Sequence, residues 1–472
     1  MAYRNLDEYL IRLEQSGELI RISHPVHTDL EISAITQRVQ NSKHNRALWF
    51  DNVIGHDFPV ITNLFGTENR MAWGLGMDKL SQLSDKLKAM VGFNNLQNIG
   101  FGGLIAQGMH TLNALRNAIG SNGVQSNTPV QAVQWRESPN IQKLPILRHW
   151  DKETAPNIAG ATLFVGDKKV IWARAIVHNT NTLGIFSEWD RLDITEPTPA
   201  ALIIGGDPAM MWSASVPLPN DIPPQWLAGW LRNKPVPFAR AISQPINIPS
   251  DAEMVIEGIL SPPPEIPLYN YFYAFSGYQG AYIHELDPML FHITAITHRQ
   301  DAVYPALVPT PSGVEFSHML KGGEQLLLPI IKTIFPEVCD FRLTEGGNNA
   351  IISIKPRPYG YAHKVIYGIW GLGQLALLRQ VLVVDESVNI HDNTAVSKAI
   401  LAHVNPHRDT ISVDGLKSRG EIGKKMGMDA TTKPADLPEK HGYNSSDGIP
   451  FRMTSQTEQL ISTNWKHYGL KK

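Results

Sequence analysis

The sequence predicts an α+β, multidomain protein with an N-terminal α+β region, a mostly β centre and a C-terminal α/β domain. Three observations predict it. The chain has 472 residues, more than one hydrophobic core usually serves. Between about 125 and 310 one strand-like run follows another, separated by turns that draw on 37 glycines and 33 prolines. From about 311 onward strand and helix patterns alternate, as in α/β organisation.

Taken in order, the elements justify that division. Asn5 reads as an N-cap, with Asp7 and Glu8 in the first turn, Gly17 as the stop, and Leu6, Tyr9, Leu10 and Leu13 on one face. ELIRIS, ALWFDNV and FPVITNLFG read as strands. Residues 66–123 read as helical, with the clearest periodicities at 78–90 and 107–119. A polar turn region places a boundary near 125, which makes 1–124 the first region. In 125–310, ATLFV, a GDKK turn and VIWARAIVH form a hairpin. LGIFSEW, LIIGGDP, AEMVIEG, MLFHITAITHR and AVYPALV continue the strands, and a proline-rich stretch at 216–224 must be extended or turning. So many strands with one or two short helices suggest a barrel or a sandwich. In 311–435, GGEQLLLPIIKTIFP is a helix, 350–354 a strand, 361–379 a helix, 381–384 a buried strand, and 394–404 a helix capped by Asn393. The tail, 436–472, is polar and is expected to wrap the surface or a neighbouring subunit.

Composition excludes several classes. Hydrophobic residues are 43% and charged residues 18%, which is not a disordered chain. The formal charge of −2 gives no basis for nucleic-acid binding. One cysteine, Cys339, excludes an internal disulfide and any multi-cysteine metal site, and fits a reducing compartment. The N-terminus is charged where a signal peptide is apolar, and the most apolar stretch, 367–378, is far short of the roughly 20 residues of a membrane span. The expectation is a soluble, cytoplasmic protein.

Generic motif patterns are missing: no Walker loop, no G-x-S-x-G, no H-E-x-x-H and no G-x-G-x-x-G. Gly371-Leu-Gly373 falls in a helical pattern and reads as a close-packing device. His292 and His298 sit six apart in a strand pattern and read as structural.

Five longer strings carry more. They are Ile203-Ile-Gly-Gly-Asp-Pro-Ala209, Leu227-Ala-Gly-Trp-Leu-Arg232, Ile248-Pro-Ser-Asp-Ala-Glu-Met-Val-Ile-Glu-Gly258, Ile296-Thr-His-Arg-Gln-Asp-Ala-Val-Tyr304 and Gly423-Lys-Lys-Met-Gly-Met-Asp-Ala-Thr431. In them the chain resembles the UbiD family of decarboxylases, closest to its menaquinone-biosynthesis branch, from Leu6 to about Pro434. The resemblance implies a central split β-barrel like that of flavin reductases, a C-terminal α/β domain that builds dimers or larger assemblies, and a prenylated flavin mononucleotide (prenylated FMN) as cofactor. It implies removal of CO2 from aromatic or α,β-unsaturated acids, with the flavin as electron sink and the protein positioning and delivering protons. In the family a divalent metal, usually manganese, holds the flavin phosphate through an Asn, a His and a Glu, and a Glu–Arg–Glu/Asp network handles protons.

Carried over residue by residue, the pattern is only partly met. The N-x-G-x-Y-R strand falls on Lys169-Val-Ile-Trp-Ala-Arg174, so Arg174 keeps the catalytic arginine and Lys169 stands where the metal-binding Asn would. Asp190 stands where the His would, and Pro224 where the Glu would. The two acids of the proton network fall on Tyr269 and Ala274, leaving Glu285 and Asp287 as the nearest replacements, or as a solvated turn before Pro288. Lys425 stays where the family approaches the cofactor phosphate. Lys169, Asp190 and Pro224 do not make a manganese site, because a protonated lysine donates nothing to a metal and proline offers only its carbonyl. Manganese is therefore predicted absent. The lysine ammonium in its place would neutralise a phosphate, with Asp190 orienting it and Lys425 converging on the same point. The plain alternative for Lys168 and Lys169 is an exposed turn pair. The tyrosine- and phenylalanine-rich run from Tyr269 to Tyr282 is either a ring-lined ligand site or core and subunit packing.

Two functional readings stay open at this stage. One is a UbiD-like carboxy-lyase with a rebuilt site, placed in quinone biosynthesis by its nearest branch. The other is a non-catalytic member that binds a flavin or an aromatic ligand, or partners an active paralogue. The expected assembly is a homodimer or higher homo-oligomer, with no membrane span.

Overall fold

The structure is a computed structural model. It describes residues 3–91, 124–126, 128–166, 169–188, 194–218, 222–263, 273–285, 288–416, 422–433, 453–465 and 467–468. The expected helix over 107–119 lies outside these residues.

Helix α1 (Leu6–Gln15) begins as its sequence dictates. Asn5 Oδ1 accepts the Glu8 N–H at 3.3 Å, and Leu6, Tyr9, Leu10 and Leu13 are buried. After it come β1 (Leu19–Ile22), α2 (Glu31–Gln40), β2 (Ala47–Phe50), β3 (Val60–Thr62), α3 (Glu68–Gly74) and α4 (Ser81–Val91). Helix α2 has no counterpart in the sequence reading. Its inner face carries Ser33, Thr36 and Gln40 beside Ile32, and its N-cap, Leu30, makes no side-chain cap bond. Ile32, Ile35 and Val39 pack on the core at helical spacing, but buried polar residues interrupt that stripe and the capping residue is missing.

The centre is a closed antiparallel barrel of six strands. They are β4 (Asn157–Val165), β5 (Lys169–Val177), β6 (Thr182–Ser187), β7 (Thr198–Ile204), β8 (Met254–Ser261) and β9 (Met289–His298). Their order is β8-β7-β4-β5-β6-β9, and β9 pairs back to β8 to close the ring. Alternate side chains, among them Leu163, Ala173, Ile185, Leu202, Ile256 and Phe291, fill the interior. A bulge in β4 between Ile158 and Ala161 carries Gly160 at φ +69, where a Cβ would meet Leu307 at 2.7 Å. Helices α5 (Pro208–Ser213) and α6 (Pro224–Arg232) pack on one another in the β7–β8 connection.

Strand β10 (Tyr304–Ala306), expected with the other central strands, instead pairs parallel to β3 and completes the N-terminal sheet in the order β1-β2-β3-β10. Nothing in a three-residue apolar run says which sheet edge it will join; here the open edge of β3 takes it.

Helix α7 (Val314–Ile334) lies between the N-terminal helices α3 and α4 and the C-terminal sheet. That sheet holds β11 (Val338–Thr344), β12 (Asn349–Ile354), β13 (Gln380–Asp385), β14 (Thr410–Leu416) and β15 (Ile422–Ala430), in the order β11-β12-β13-β15-β14. The β12–β13 and β13–β15 pairs are parallel, with α8 (Tyr361–Trp370) and α9 (Asn393–His403) in the connections. The α/β expectation holds, but the elements differ: α7 begins at Val314 instead of Gly322, and β11, β14 and β15 have no counterpart in the sequence reading. The helix expected over 361–379 stops at Trp370, because Gly371 ends it and Gly373 takes φ +48, so this glycine pair is a terminator and not a packing device. Helix α9 starts one residue early, capped by Asp392 instead of Asn393. Helix α10 (Ser455–Asn464) buries none of its residues. No helix among the described residues is long and apolar enough to cross a membrane.

Candidate active site

Arg174 is the centre of the site. It sits mid-strand in β5, on the face opposite the barrel-filling Ala173 and Ala175, and its side chain is fully buried. Nε donates to Glu188 Oε1 at 3.0 Å and Nη1 to Asn157 Oδ1 at 2.8 Å. Both partners follow from the sheet. Phe186 lies opposite Arg174, so Glu188, two residues further, is its diagonal neighbour on the same face. Asn157 comes from the adjoining strand β4. The guanidinium lies 4.9 Å from the Phe275 ring centroid and 5.1 Å from that of Tyr278. Its third nitrogen, Nη2, is buried with no hydrogen-bond partner among the described residues. A guanidinium fixed on two sides with one N–H group left over is a receptor for a carboxylate oxygen.

A second buried acid extends the network. Glu153 Oε2 accepts from the His149 backbone at 2.6 Å and from Asn157 Nδ2 at 3.1 Å, and its Oε1 accepts from the Ser276 backbone at 2.9 Å. Burial works to raise its pKa, but His149 and the Ser276 hydrogen bonds outweigh it and hold the carboxylate below its ordinary value. Burial drives His149 down to about 4, so the ring is neutral, with Nδ1 3.1 Å from Ser33 Oγ. Tyr278, Trp172 and Phe316 form a cluster of near-parallel rings, with Tyr278 5.0 Å from Trp172 and 4.3 Å from Phe316 and the latter two 5.4 Å apart between centroids. Burial, then the charge of Glu188, raises its hydroxyl well above the usual phenol range. In the sequence Glu188 reads only as part of the strand run LGIFSEW. The register of the β5–β6 hairpin, set by the turn His178–Asn181, is the signal that finds it.

The other expected residues fall as follows. Lys169 opens β5, is exposed, and lines a cavity of about 180 Å³ with Gln225, Asn247, Phe164, Val170 and Phe238. Lys169 and Gln225, the residue after Pro224, thus line one cavity. Asp190, Asp287 and the side chain of Glu285 lie outside the described residues, as do Tyr269, Tyr271 and Phe272. Tyr273, Phe275 and Tyr278 are buried against the barrel. Lys425 is buried in β15, where its stem covers Gly415, its Nζ donates to the Ala376 carbonyl, and burial lowers its pKa to about 8. It lines a different cavity, of about 320 Å³, with Arg379, Thr410, Ser412 and Lys424. The two cavities have no lining residue in common; Lys169 belongs to the barrel and Lys425 to the C-terminal sheet.

A lysine and a proline are not donors for a hard divalent cation. Among the described residues no group of three His, Cys, Asp or Glu side chains is placed to hold one. Arg174 Nη2, an orphaned buried donor, fits a bound carboxylate.

Four of the five family strings meet elsewhere, in a buried charge knot. Arg232 lies 2.9 Å from Asp207 and 3.5 Å from Asp251, and Arg299 lies 3.7 Å from Glu253 and 2.6 Å from Asp7. Burial raises Asp207 to about 6, Asp251 to about 7 and Glu253 to about 8. These strings therefore join the barrel to α5, α6 and the N-terminal region. Glu253 gives a pH prediction. Its folded pKa lies above its ordinary 4.5, so the folded state keeps a proton that the unfolded chain has lost. That stability is full at low pH and disappears as pH rises through about 8. Thermal scans are expected to show about 2 kcal/mol less stability from this group between about pH 6.5 and about pH 8.5. Glu253→Gln should flatten the profile by that share; an unchanged slope in the variant would contradict the assignment.

Comparison with known proteins gives a consistent result. Residues 10–90, 122–312 and 317–430 match the N-terminal, Rift-related and C-terminal domains of 3-octaprenyl-4-hydroxybenzoate carboxy-lyase. An uncharacterised protein of Archaeoglobus fulgidus is 29% identical, with 98% of each chain aligned. Among solved structures, the vanillic acid decarboxylase of Sedimentibacter hydroxybenzoicus in closed form superposes with a TM-score of 0.77 at 22% identity, over 99% of both chains. An evolved dimeric form of HmfF, a UbiD-class enzyme from Pelotomaculum thermopropionicum in complex with prFMN, superposes at 0.70 with 24% identity, over 95% of this chain and 99% of that one. The 3,4-dihydroxybenzoic acid decarboxylase of Klebsiella pneumoniae gives 0.70 at 18% identity, over 98% and 99%.

Proposed function

The chain belongs to the UbiD family of carboxy-lyases, and on that premise we propose that it is a prenylated-flavin-dependent decarboxylase of an aromatic or α,β-unsaturated acid, with Arg174 and Glu188 at the reacting end. The observation that carries this reading is the unpartnered Arg174 Nη2 beside the Glu188 carboxylate. The family's two network acids are replaced by Tyr269 and Ala274, yet an acid from a different strand still reaches the arginine.

The chemistry follows from these groups. Arg174 Nη2 binds one oxygen of the substrate carboxylate and fixes its direction, while Asn157 and Glu188 prevent the guanidinium from turning. When bound, a prenylated flavin supplies the electron sink. As CO2 departs, the bonding pair stays on the substrate and a proton must replace the lost carbon. Glu188 Oε2, not engaged by Arg174 Nε, is the place to hold that proton. The apolar rings of Phe275, Tyr278 and Phe316 keep water away and suit a flat acid. The named substrates of the neighbours, vanillic and 3,4-dihydroxybenzoic acids, support an aromatic substrate. The resemblance to the menaquinone branch supports a place in quinone biosynthesis. The dimeric HmfF supports a homo-oligomer.

The test is purification from a host that makes prenylated flavin, followed by flavin absorbance per chain and CO2 release across a panel of aromatic and α,β-unsaturated acids. Bound flavin and release from at least one acid are expected. A chain that binds no flavin overturns the reading, and one that binds it without turnover points to the non-catalytic alternative.

A further inference from the structure

We propose that the Tyr278 hydroxyl is a second donor to the substrate's carboxylate, binding the oxygen that Arg174 does not reach. The inference rests on the decarboxylase reading above and adds a substrate-binding residue to it.

The first support is the use already made of Arg174. A guanidinium usually grips a carboxylate with two parallel N–H bonds. Here Nε is committed to Glu188 Oε1 at 3.0 Å and Nη1 to Asn157 Oδ1 at 2.8 Å, which leaves Nη2 by itself. One nitrogen at the end of the fork holds one carboxylate oxygen. The other oxygen needs a donor from a different side chain.

The second support is an orphaned hydroxyl beside it. Tyr278 Oη is buried with no hydrogen-bond partner among the described residues. Its ring centre lies 5.1 Å from the Arg174 guanidinium carbon. The Glu188 carboxylate faces the hydroxyl and helps to raise its pKa, without closing a hydrogen bond to it. The Gly160 N–H faces the phenol oxygen, so it is the phenol hydrogen that lacks a partner. Raised this far, the phenol stays neutral, and a neutral phenol donates to a carboxylate where a phenolate would repel it. A buried donor left without an acceptor is costly, and a carboxylate oxygen relieves that cost.

The third support is rigidity. Tyr278 lies in the turn of the hairpin formed by Tyr273–Ser276 and Tyr282–Glu285. That hairpin is tied to residues 151–154. The Thr154 N–H donates to the Ala274 carbonyl at 3.0 Å, the Ser276 N–H to Glu153 Oε1 at 2.9 Å, and Tyr282 Oη to Asp151 Oδ1 at 2.7 Å. The stacked rings of Phe316 and Trp172 keep Tyr278 from turning away. The same hairpin carries Ala274, where the second acid of the family pattern would stand, so a neutral hydroxyl is what it brings to Arg174 instead.

The experiment compares wild type with Tyr278→Phe, which removes one oxygen and keeps the ring, both as full chains from a host that makes prenylated flavin. Calorimetry measures binding of benzoate, 4-hydroxybenzoate and cinnamate. Wild type is expected to bind at least one of these acids, and Tyr278→Phe to bind it roughly tenfold or more weakly, as for one hydrogen bond to a charged group. The thermal midpoint of the variant should be equal or higher, because no bond within the protein is lost. On an acid that is turned over, KM should rise by the same factor while kcat changes by less than about threefold, since this donor meets the carboxylate and Glu188 holds the proton. Unchanged acid affinity in the variant, or a fall in kcat with KM unchanged, assigns the hydroxyl to the fold or to Glu188 alone. Either result overturns the inference and leaves the decarboxylase reading intact. A wild type that takes up no flavin, or that binds none of the acids, overturns both.

Discussion

Arg174→Gln is expected to reduce CO2 release by about 10²–10³-fold and to destabilise the fold by about 3–5 kcal/mol. Two effects combine because one side chain does two jobs. Its Nη2 is the unused donor that meets the substrate, and its Nε and Nη1 hold Glu188 and Asn157. Removing the guanidinium leaves the Glu188 carboxylate, whose side chain is 12% exposed, without its ion-pair partner. The double variant Arg174→Gln with Glu188→Gln separates the two. Without a buried charge to compensate, most of the lost stability should return, but turnover should not. Arg174→Lys keeps the charge and loses the planar fork, so it should recover stability ahead of activity. Denaturant midpoints and CO2 release on the same four proteins give both readings. An active double variant would remove Arg174 from the mechanism.

Arg232→Met should cost about 3–5 kcal/mol in chemical denaturation, although Arg232 touches nothing in the candidate site. Its side chain is 2% exposed and neutralises both Asp207 and Asp251. Asp207 also caps α5, accepting the Ala209 N–H at 2.7 Å. Without the arginine these acids must be protonated to stay buried. Burial already places them at about 6 and about 7. The sign is therefore fixed: a proton costs little at about pH 5.5 and more at about pH 8, so the variant should lose more stability at the higher pH. A loss below about 1 kcal/mol, or one independent of pH, would show that the knot is not holding the barrel to its helices.

The two predictions differ in how far they were legible in the sequence. Arg174 was found from a motif position, and its burial follows from strand alternation. The family strings containing Asp207, Arg232, Asp251, Glu253 and Arg299 were found as strings, with no indication that they meet. Lys169 and Pro224 were aligned as metal positions, and the fold brings Lys169 and Gln225, the residue after Pro224, to one cavity. Lys425 was expected at the same point and lies in another cavity. Motif position reports ancestry; only the packing of barrel against sheet decides distance.

Local chemistry determined what local chemistry can. Asn5 caps α1 because its side chain reaches the Glu8 N–H three residues on, and the turn after Val165 forces a hairpin. The succession of strand runs and the later alternation with helices determined the fold class, since the hydrophobic period of each element decides which faces must be covered. Tertiary structure decided the rest. It buried a helix, α2, whose inner face carries Ser33, Thr36 and Gln40, because His149, Thr62 and Thr310 supply their hydrogen bonds from distant segments. It gave β10 to the N-terminal sheet. It also set Glu188 and Asn157 against Arg174, a choice made by strand register and a bulge. A buried charge must be paired, but which group pairs it depends on contacts between strands, and no property of the residue itself carries that information.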